Sequence, residues 1–171
     1  MRIFGIDPGM TRCGIGVIDA KDSASGTFRS ADSLRLYKAG VIRTDTSLAQ
    51  DERLRKIYDG IDSWLNACKP DVMAVERVFS QENRHSVLGT AQVAGLALLL
   101  ANQHTIPVSL HTPTEVKATI TGFGQANKQQ IATMVAKFLK LEVQIKPADA
   151  SDALAIAITN ALKPPINAYK M

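Results

Sequence analysis

Short apolar runs separated by turns dominate the first quarter of the chain. Two of them, "RIFGID" at 2–7 and "CGIGVID" at 13–19, are joined by a Pro-Gly turn, and this pattern predicts a β-hairpin. A third run at 34–44 predicts another strand, bent or interrupted near Gly40. These three segments predict the antiparallel beginning of a sheet.

From Leu48 the apolar residues recur at helical spacing, with Ser47 as the expected N-cap and Pro70 as the stop. Further strands are predicted at 71–76 and 107–112. Further helices are predicted at about 83–103, from Pro113, after Gly124, and at about 149–162. Three strands followed by strands that alternate with helices predict an α/β fold, a mixed sheet covered by helices, in a single domain over 1–171.

Composition narrows the function classes only slightly. The chain has 171 residues, 46% hydrophobic and 21% charged, with a net charge of +4 that is compatible with a polyanionic partner. Its two cysteines lie far apart without metal-type spacing, which suits a reducing cytosol, and its three histidines form no zinc-ligand pair. The most apolar stretch, 87–101, is too short to span a bilayer. We therefore expect a cytoplasmic protein without a membrane partner.

Four carboxylates occupy positions where chemistry commonly gathers in α/β proteins. Asp7 ends the first strand, Glu76 ends the strand at 71–76, and Asp149 and Asp152 open the last helix at i, i+3 spacing, which places them on one face. Each also has an ordinary structural explanation. Asp7 can serve the turn, Glu76 can simply end a strand, and acids in a first helical turn favour the helix dipole.

Considered together, the four acids suggest a hard metal ion. Bringing them together is costly unless cations neutralise them, and Mg²⁺ prefers such oxygen ligands. Two ions roughly 4 Å apart can clamp both oxygens of an in-line phosphoryl displacement. Spacing along the chain does not by itself establish that the four side chains converge.

Three segments resemble one nuclease family. "FGIDPGMTRCGIGVID", "AVERVF" and "DASDALAIAIT", with "Q.AGLALL" and "P..VK" between them, resemble the acidic motifs of the RuvC-type Holliday-junction resolvases. The resemblance implies a ribonuclease-H-like fold: a five-stranded mixed sheet, three antiparallel strands then parallel ones, with helices on both faces. It also implies an endonuclease of recombination and repair that nicks two strands of like polarity symmetrically in a four-way DNA junction. The products would carry 5′-phosphate and 3′-hydroxyl ends.

The resemblance also assigns roles to the four acids. Asp7 would bridge two Mg²⁺ ions, Glu76 would hold one of them, and Asp149 and Asp152 would complete the set. The family allows histidine at the position of Asp149. Mn²⁺ is expected to substitute for Mg²⁺.

Five further residues match DNA-contacting positions or lie close to them. Phe79 matches an aromatic residue that stacks on a base near the crossover, although a loop phenylalanine also suits ordinary packing. Lys117 and Lys128 match basic positions near the scissile phosphate, although isolated lysines are usually solvated. Arg77 and Arg84 are further candidates for contacts to the DNA backbone.

The resemblance implies two protein partners as well. The helix at 83–103 is apolar on every side between Val93 and Ala101 and rich in small residues, which suits either burial within one subunit or a two-fold homodimer interface. A branch-migration motor complex usually accompanies these enzymes. The expected location is the bacterial cytoplasm, in association with the nucleoid.

Three other functions remain open at this point. A related ribonuclease-H-like nuclease of RNA processing would cut RNA rather than junction DNA. An actin-like or sugar-kinase-like ATP-binding fragment also opens with G-I-D-x-G, but it would need a second domain with its own phosphate loop. A junction-binding protein without catalysis would bind DNA and leave it uncut.

Overall fold

The computed structural model describes residues 1–21, 33–77 and 84–163, and it describes residues 84–86 by their backbone alone. Within these ranges the chain forms five strands and five helices. The strands are β1 (Arg2–Asp7), β2 (Arg12–Ala20), β3 (Leu34–Arg43), β4 (Val72–Glu76) and β5 (Val108–His111). The helices are α1 (Gln50–Cys68), α2 (Arg84–Gln103), α3 (Pro113–Thr121), α4 (Lys128–Phe138) and α5 (Ala148–Leu162).

The strands form one mixed sheet in the order β3-β2-β1-β4-β5. The β1–β2 and β2–β3 pairs are antiparallel, whereas β4 pairs in parallel with both β1 and β5. Two hydrophobic cores cover its two faces, one formed with α1 and α2 and the other with α3, α4 and α5. The predicted fold class, three antiparallel strands followed by parallel ones with helices on both faces, is confirmed.

The two faces of the sheet follow from the alternation of side chains along each strand. In β1, Phe4 and Ile6 belong to the core beneath α1 and α2, whereas Ile3 belongs to the core beneath α5. Both cysteines are buried free thiols. In the described ranges no helix is both long enough and apolar enough to cross a membrane.

The predicted break in the third strand lies at a different residue. β3 continues through Gly40, which pairs in register with Ile15, and the register shift lies between Val17 and Ile18 of β2, opposite Tyr37. Gly40 has another role: a Cβ atom there would come within 2.9 Å of the Trp64 ring, so glycine lets α1 pack closely on β3.

Two helix starts also differ from the sequence prediction. α1 begins at Gln50, because the Ser47 amide and hydroxyl both donate to Asp45 Oδ1 in a local turn. Glu52 instead accepts from the Ala49 amide at 3.0 Å. α4 begins at Lys128 rather than just after Gly124, because the Asn127 side chain accepts from the Gln130 amide and caps the helix there.

Candidate active site

Asp7 and Glu76 lie side by side at the centre of the sheet. The strands β1 and β4 are parallel neighbours, and Ile6 pairs with Val75, so the next residue on each strand is acidic. Both strands present their carboxyl ends at the same edge of the sheet, where α/β proteins commonly build their sites.

Helix α5 brings the other two acids to the same place. It packs directly on β1 and β2, where a Cβ atom on Gly5, Gly14 or Gly16 would overlap its backbone. Gly14 is opposite Asp7 in the β-ladder, and its missing side chain leaves room for the carbonyl oxygen of Asp149. The close approach of helix to sheet therefore sets Asp149 beside Asp7, with Asp152 one turn further along α5.

Asp7 lies close enough to the other three acids to be affected by their charges. Burial, and then the negative charges of Glu76, Asp152 and Asp149, raise the pKa of Asp7 to about 7, and Lys128 opposes this rise. Burial and neighbouring carboxylates both disfavour the charged form, and such perturbed groups are typical of active sites. The cluster is thus arranged to receive positive charge.

Two basic side chains supply part of that charge. The Arg12 guanidinium contacts Asp149 Oδ2 through Nε at 2.7 Å and Nη2 at 2.6 Å. Lys128 Nζ contacts Asp152 Oδ2 at 3.1 Å, and this hydrogen bond raises the pKa of Lys128. These contacts hold one oxygen of each aspartate.

The ligand chemistry of the cluster fits a hard divalent cation, since all four candidate ligands are carboxylates. Among the residues that the structure describes, however, no three acidic, histidine or cysteine side chains form a ready-made ligand set. Asp149 and Asp152 are instead turned toward Arg12 and Lys128.

The structure describes only three of the five predicted DNA-contacting residues with their side chains. Lys128 lies within the acidic cluster, and Lys117 lies half-buried on α3. Arg77 is exposed directly after β4, and its amide donates to the His111 carbonyl at 2.8 Å. Arg84 is the first residue of α2, but its side chain, like the whole of Phe79, lies outside the described residues.

Sequence reasoning missed two features of this site. Arg12 was not singled out, because its partner Asp149 is 137 residues away and no local pattern joins them. His111 was also missed as a site neighbour. It pairs in register with Glu76, is 2% exposed, and its Nε2 lies 3.1 Å from Asn160 Oδ1 on α5.

The sheet order and the acidic cluster at its centre define a ribonuclease-H-like nuclease fold. Residues 3–160 match the family model described as "Crossover junction endodeoxyribonuclease RuvC". The chain therefore belongs to the RuvC family, whose members are crossover junction endodeoxyribonucleases.

Individual relatives agree with this assignment. The chain is 53% identical over 164 residues to the RuvC of Bifidobacterium adolescentis, covering 96% of this chain and 81% of that protein. It is 50% identical over 157 residues to the RuvC of Cutibacterium acnes, covering 92% and 76%. The structure of T. thermophilus RuvC in complex with a Holliday junction substrate superposes with a TM-score of 0.83 at 31% identity, covering 95% of this chain and 93% of that one.

Proposed function

We propose that this chain is a metal-dependent endonuclease that resolves four-way DNA junctions by paired, symmetric nicks in strands of like polarity. The observation that carries the proposal is the convergence of Asp7, Glu76, Asp149 and Asp152, at one edge of the sheet, in a member of the RuvC family. The similarity to T. thermophilus RuvC, which was solved with a Holliday junction substrate, supports junction DNA as the ligand.

The four carboxylates are the proposed metal ligands. Membership of this nuclease family implies dependence on a divalent metal, and the all-oxygen set favours Mg²⁺, with Mn²⁺ as a substitute. Two such ions would supply activation of a water molecule and stabilisation of the departing 3′ oxygen, so that the cut strand would carry a 5′-phosphate. Asp7 is central because it is largely buried and is affected by the charges of the other three.

The protein's own residues bind and orient the DNA in this proposal. Lys128 and Lys117 contact phosphates near the cut, and Arg77 and Arg84 contact the backbone further away. Phe79, which follows Glu76 by three residues in the sequence, is the proposed residue that stacks on a base beside the scissile phosphate. Asp152 holds Lys128 at 3.1 Å, which keeps a positive charge beside the acids.

Paired nicks require two active sites, and α2 offers a surface for a second copy of the chain. Among its exposed residues, Leu88, Ala91, Gly95 and Leu99 form one stripe along the helix, with Leu88 60% and Leu99 50% exposed, and the polar residues Asn102 and Gln103 are exposed at its C-terminal end. Such an apolar stripe suits a self-complementary two-fold contact. Two small residues of α2 lie inside the subunit and not on this stripe: Ala97 is buried in the core, and Gly89 packs on Met10.

The dimer has a direct test in sedimentation. Leu99→Arg should convert a wild-type dimer into a monomer, because the charge would be buried in the contact. Val143→Arg is the matched control, since Val143 is 75% exposed and lies outside α2. A wild-type monomer, or a dimer unaffected by Leu99→Arg, would exclude this interface.

The cleavage test compares a labelled mobile four-way junction with a linear duplex of the same sequence, in Mg²⁺ and in EDTA. Wild type should make paired nicks that ligase reseals, in the junction alone and only with metal. Asp7→Asn should abolish the nicks and retain junction binding, whereas the surface variant Asp59→Asn should cut normally. Binding without cleavage by wild type would favour a recognition protein, and preference for RNA would favour an RNA-processing nuclease.

The remaining parts of the proposal concern the cell. The relatives are bacterial proteins, so we place the chain in the bacterial cytoplasm at the nucleoid, as one nuclease domain. A branch-migration motor is the proposed protein partner. Co-purification of such a motor with the chain on junction DNA, and not on duplex, is the expected result.

A further inference from the structure

Arg12 reaches from the sheet to the acidic cluster, and its contacts are confined to one carboxylate oxygen. It is the first residue of β2, and both Nε and Nη2 donate to Asp149 Oδ2, at 2.7 and 2.6 Å. No hydrogen bond or ion pair joins a described residue to Asp149 Oδ1. One oxygen of Asp149 is thus held by the protein, and the other is left for a different partner.

Lys128 repeats this arrangement on the next acid of α5. Its Nζ contacts Asp152 Oδ2 at 3.1 Å, and no described residue contacts Asp152 Oδ1. The two helix acids therefore share one pattern, in which a basic side chain neutralises the group while one oxygen stays open.

The Arg12–Asp149 pair lies at the surface of the cluster, with the Arg12 side chain 42% exposed and that of Asp149 23% exposed. The backbone fixes where the pair forms, because Arg12 starts the strand whose Gly14 lies opposite Asp7 and against the backbone of Asp149. The Arg12 guanidinium therefore lies at one end of the cluster, paired with one of its four acids.

We propose that Arg12 is a positioning residue that acts as a resident counterion of the cluster and sets the metal concentration at which it fills. The inference rests on the proposed function, because it requires Asp149 to bind metal. A guanidinium at Asp149 repels an incoming divalent cation and competes for the carboxylate. The same charge lets DNA phosphates approach the acids before metal binds.

Direct Mn²⁺ binding, measured by the EPR signal of the free ion on the intact protein without DNA, is the test. Arg12→Gln should tighten Mn²⁺ binding about two- to fivefold, the effect of an exposed charge pair. Arg12→Lys, which keeps the charge, should stay within about twofold of wild type. Arg43→Gln is the matched control, since Arg43 pairs with Arg12 across the sheet, is exposed, and makes no ion pair with a described residue.

A second measurement separates this role from a structural one. Junction binding in EDTA should weaken for Arg12→Gln and recover when Ca²⁺ is added, whereas a purely structural defect would weaken binding in both conditions. In an Asp149→Asn background, Arg12→Gln should no longer change Mn²⁺ affinity, and this comparison also serves if the single variant folds poorly. Unchanged or weaker Mn²⁺ binding by Arg12→Gln would overturn the inference alone, whereas a wild type that binds no Mn²⁺ would overturn the proposed function with it.

Discussion

Replacing Asp7 by asparagine should stabilise the metal-free protein while it abolishes cleavage. The pKa of Asp7 rises from an ordinary 3.8 to about 7 in the folded protein, first through burial and then through the charges of Glu76, Asp152 and Asp149. At about 1.4 kcal/mol per pK unit, ionised Asp7 costs the folded state about 4 kcal/mol. Asparagine removes this charge and keeps the shape of the side chain.

The stabilisation by Asp7→Asn should increase with pH, because the pKa of Asp7 is raised in the folded protein. Below pH 4 Asp7 is protonated in both the folded and the unfolded state, so its charge does not lower the stability of wild type. As the pH rises to about 7, the unfolded state loses this proton first and wild type loses stability. The stabilisation by Asp7→Asn should therefore be small below pH 4 and reach about 4 kcal/mol near pH 8.

Urea denaturation in EDTA at several pH values measures this difference directly. Saturating Mg²⁺ should reverse it, because the metal stabilises wild type and finds one ligand fewer in the variant. Asp59→Asn is the control: Asp59 is 55% exposed and paired with Arg55, so its loss should change stability by less than about 0.5 kcal/mol. A variant that is less stable than wild type at pH 8 in EDTA, or a gain that does not vary with pH, would refute the reasoning.

Three further substitutions test how the site is built, each by urea denaturation. Gly14→Ala should cost about 1–3 kcal/mol and impair cleavage, because the new Cβ overlaps the Asp149 carbonyl, and an unchanged free energy of unfolding would contradict the close packing of α5. Thr112→Ala should cost about 1 kcal/mol by removing the side-chain N-cap of α3, with cleavage retained. Asn160→Leu should cost about 1–3 kcal/mol because it leaves buried His111 Nε2 without its partner, and neutrality would mean that this hydrogen bond is dispensable.

Local pattern was sufficient for the elements and for half of the site. The period of apolar residues distinguishes strands from helices, and alternating elements favour a mixed sheet. Asp7 and Glu76 were recognisable because each directly follows a buried run, and parallel neighbours end at the same edge. The acids of α5 were recognisable by their spacing, and the resemblance to a nuclease family joined all four.

Local pattern failed where a residue has two possible partners or two possible roles. The Ser47 hydroxyl is equally able to cap a helix or to bond Asp45, and the structure uses the second. Gly40 suggests a break in a strand, but Trp64 packs against it and the strand continues. In both cases the chemistry of the residue allows two outcomes, and only its neighbours decide between them.

The sequence by itself determined the fold class, the order of the elements and the acidic character of the site. Only the tertiary structure decided that α5 lies directly on the glycines of β1 and β2, that Arg12 holds Asp149, and which stripe of α2 is exposed. The physical reason is the distance along the chain over which each effect acts. Periodicity and turn chemistry act over a few residues, whereas the distance between a helix and a sheet, and the reach of an arginine across 137 residues of chain, depend on how all the side chains between them pack.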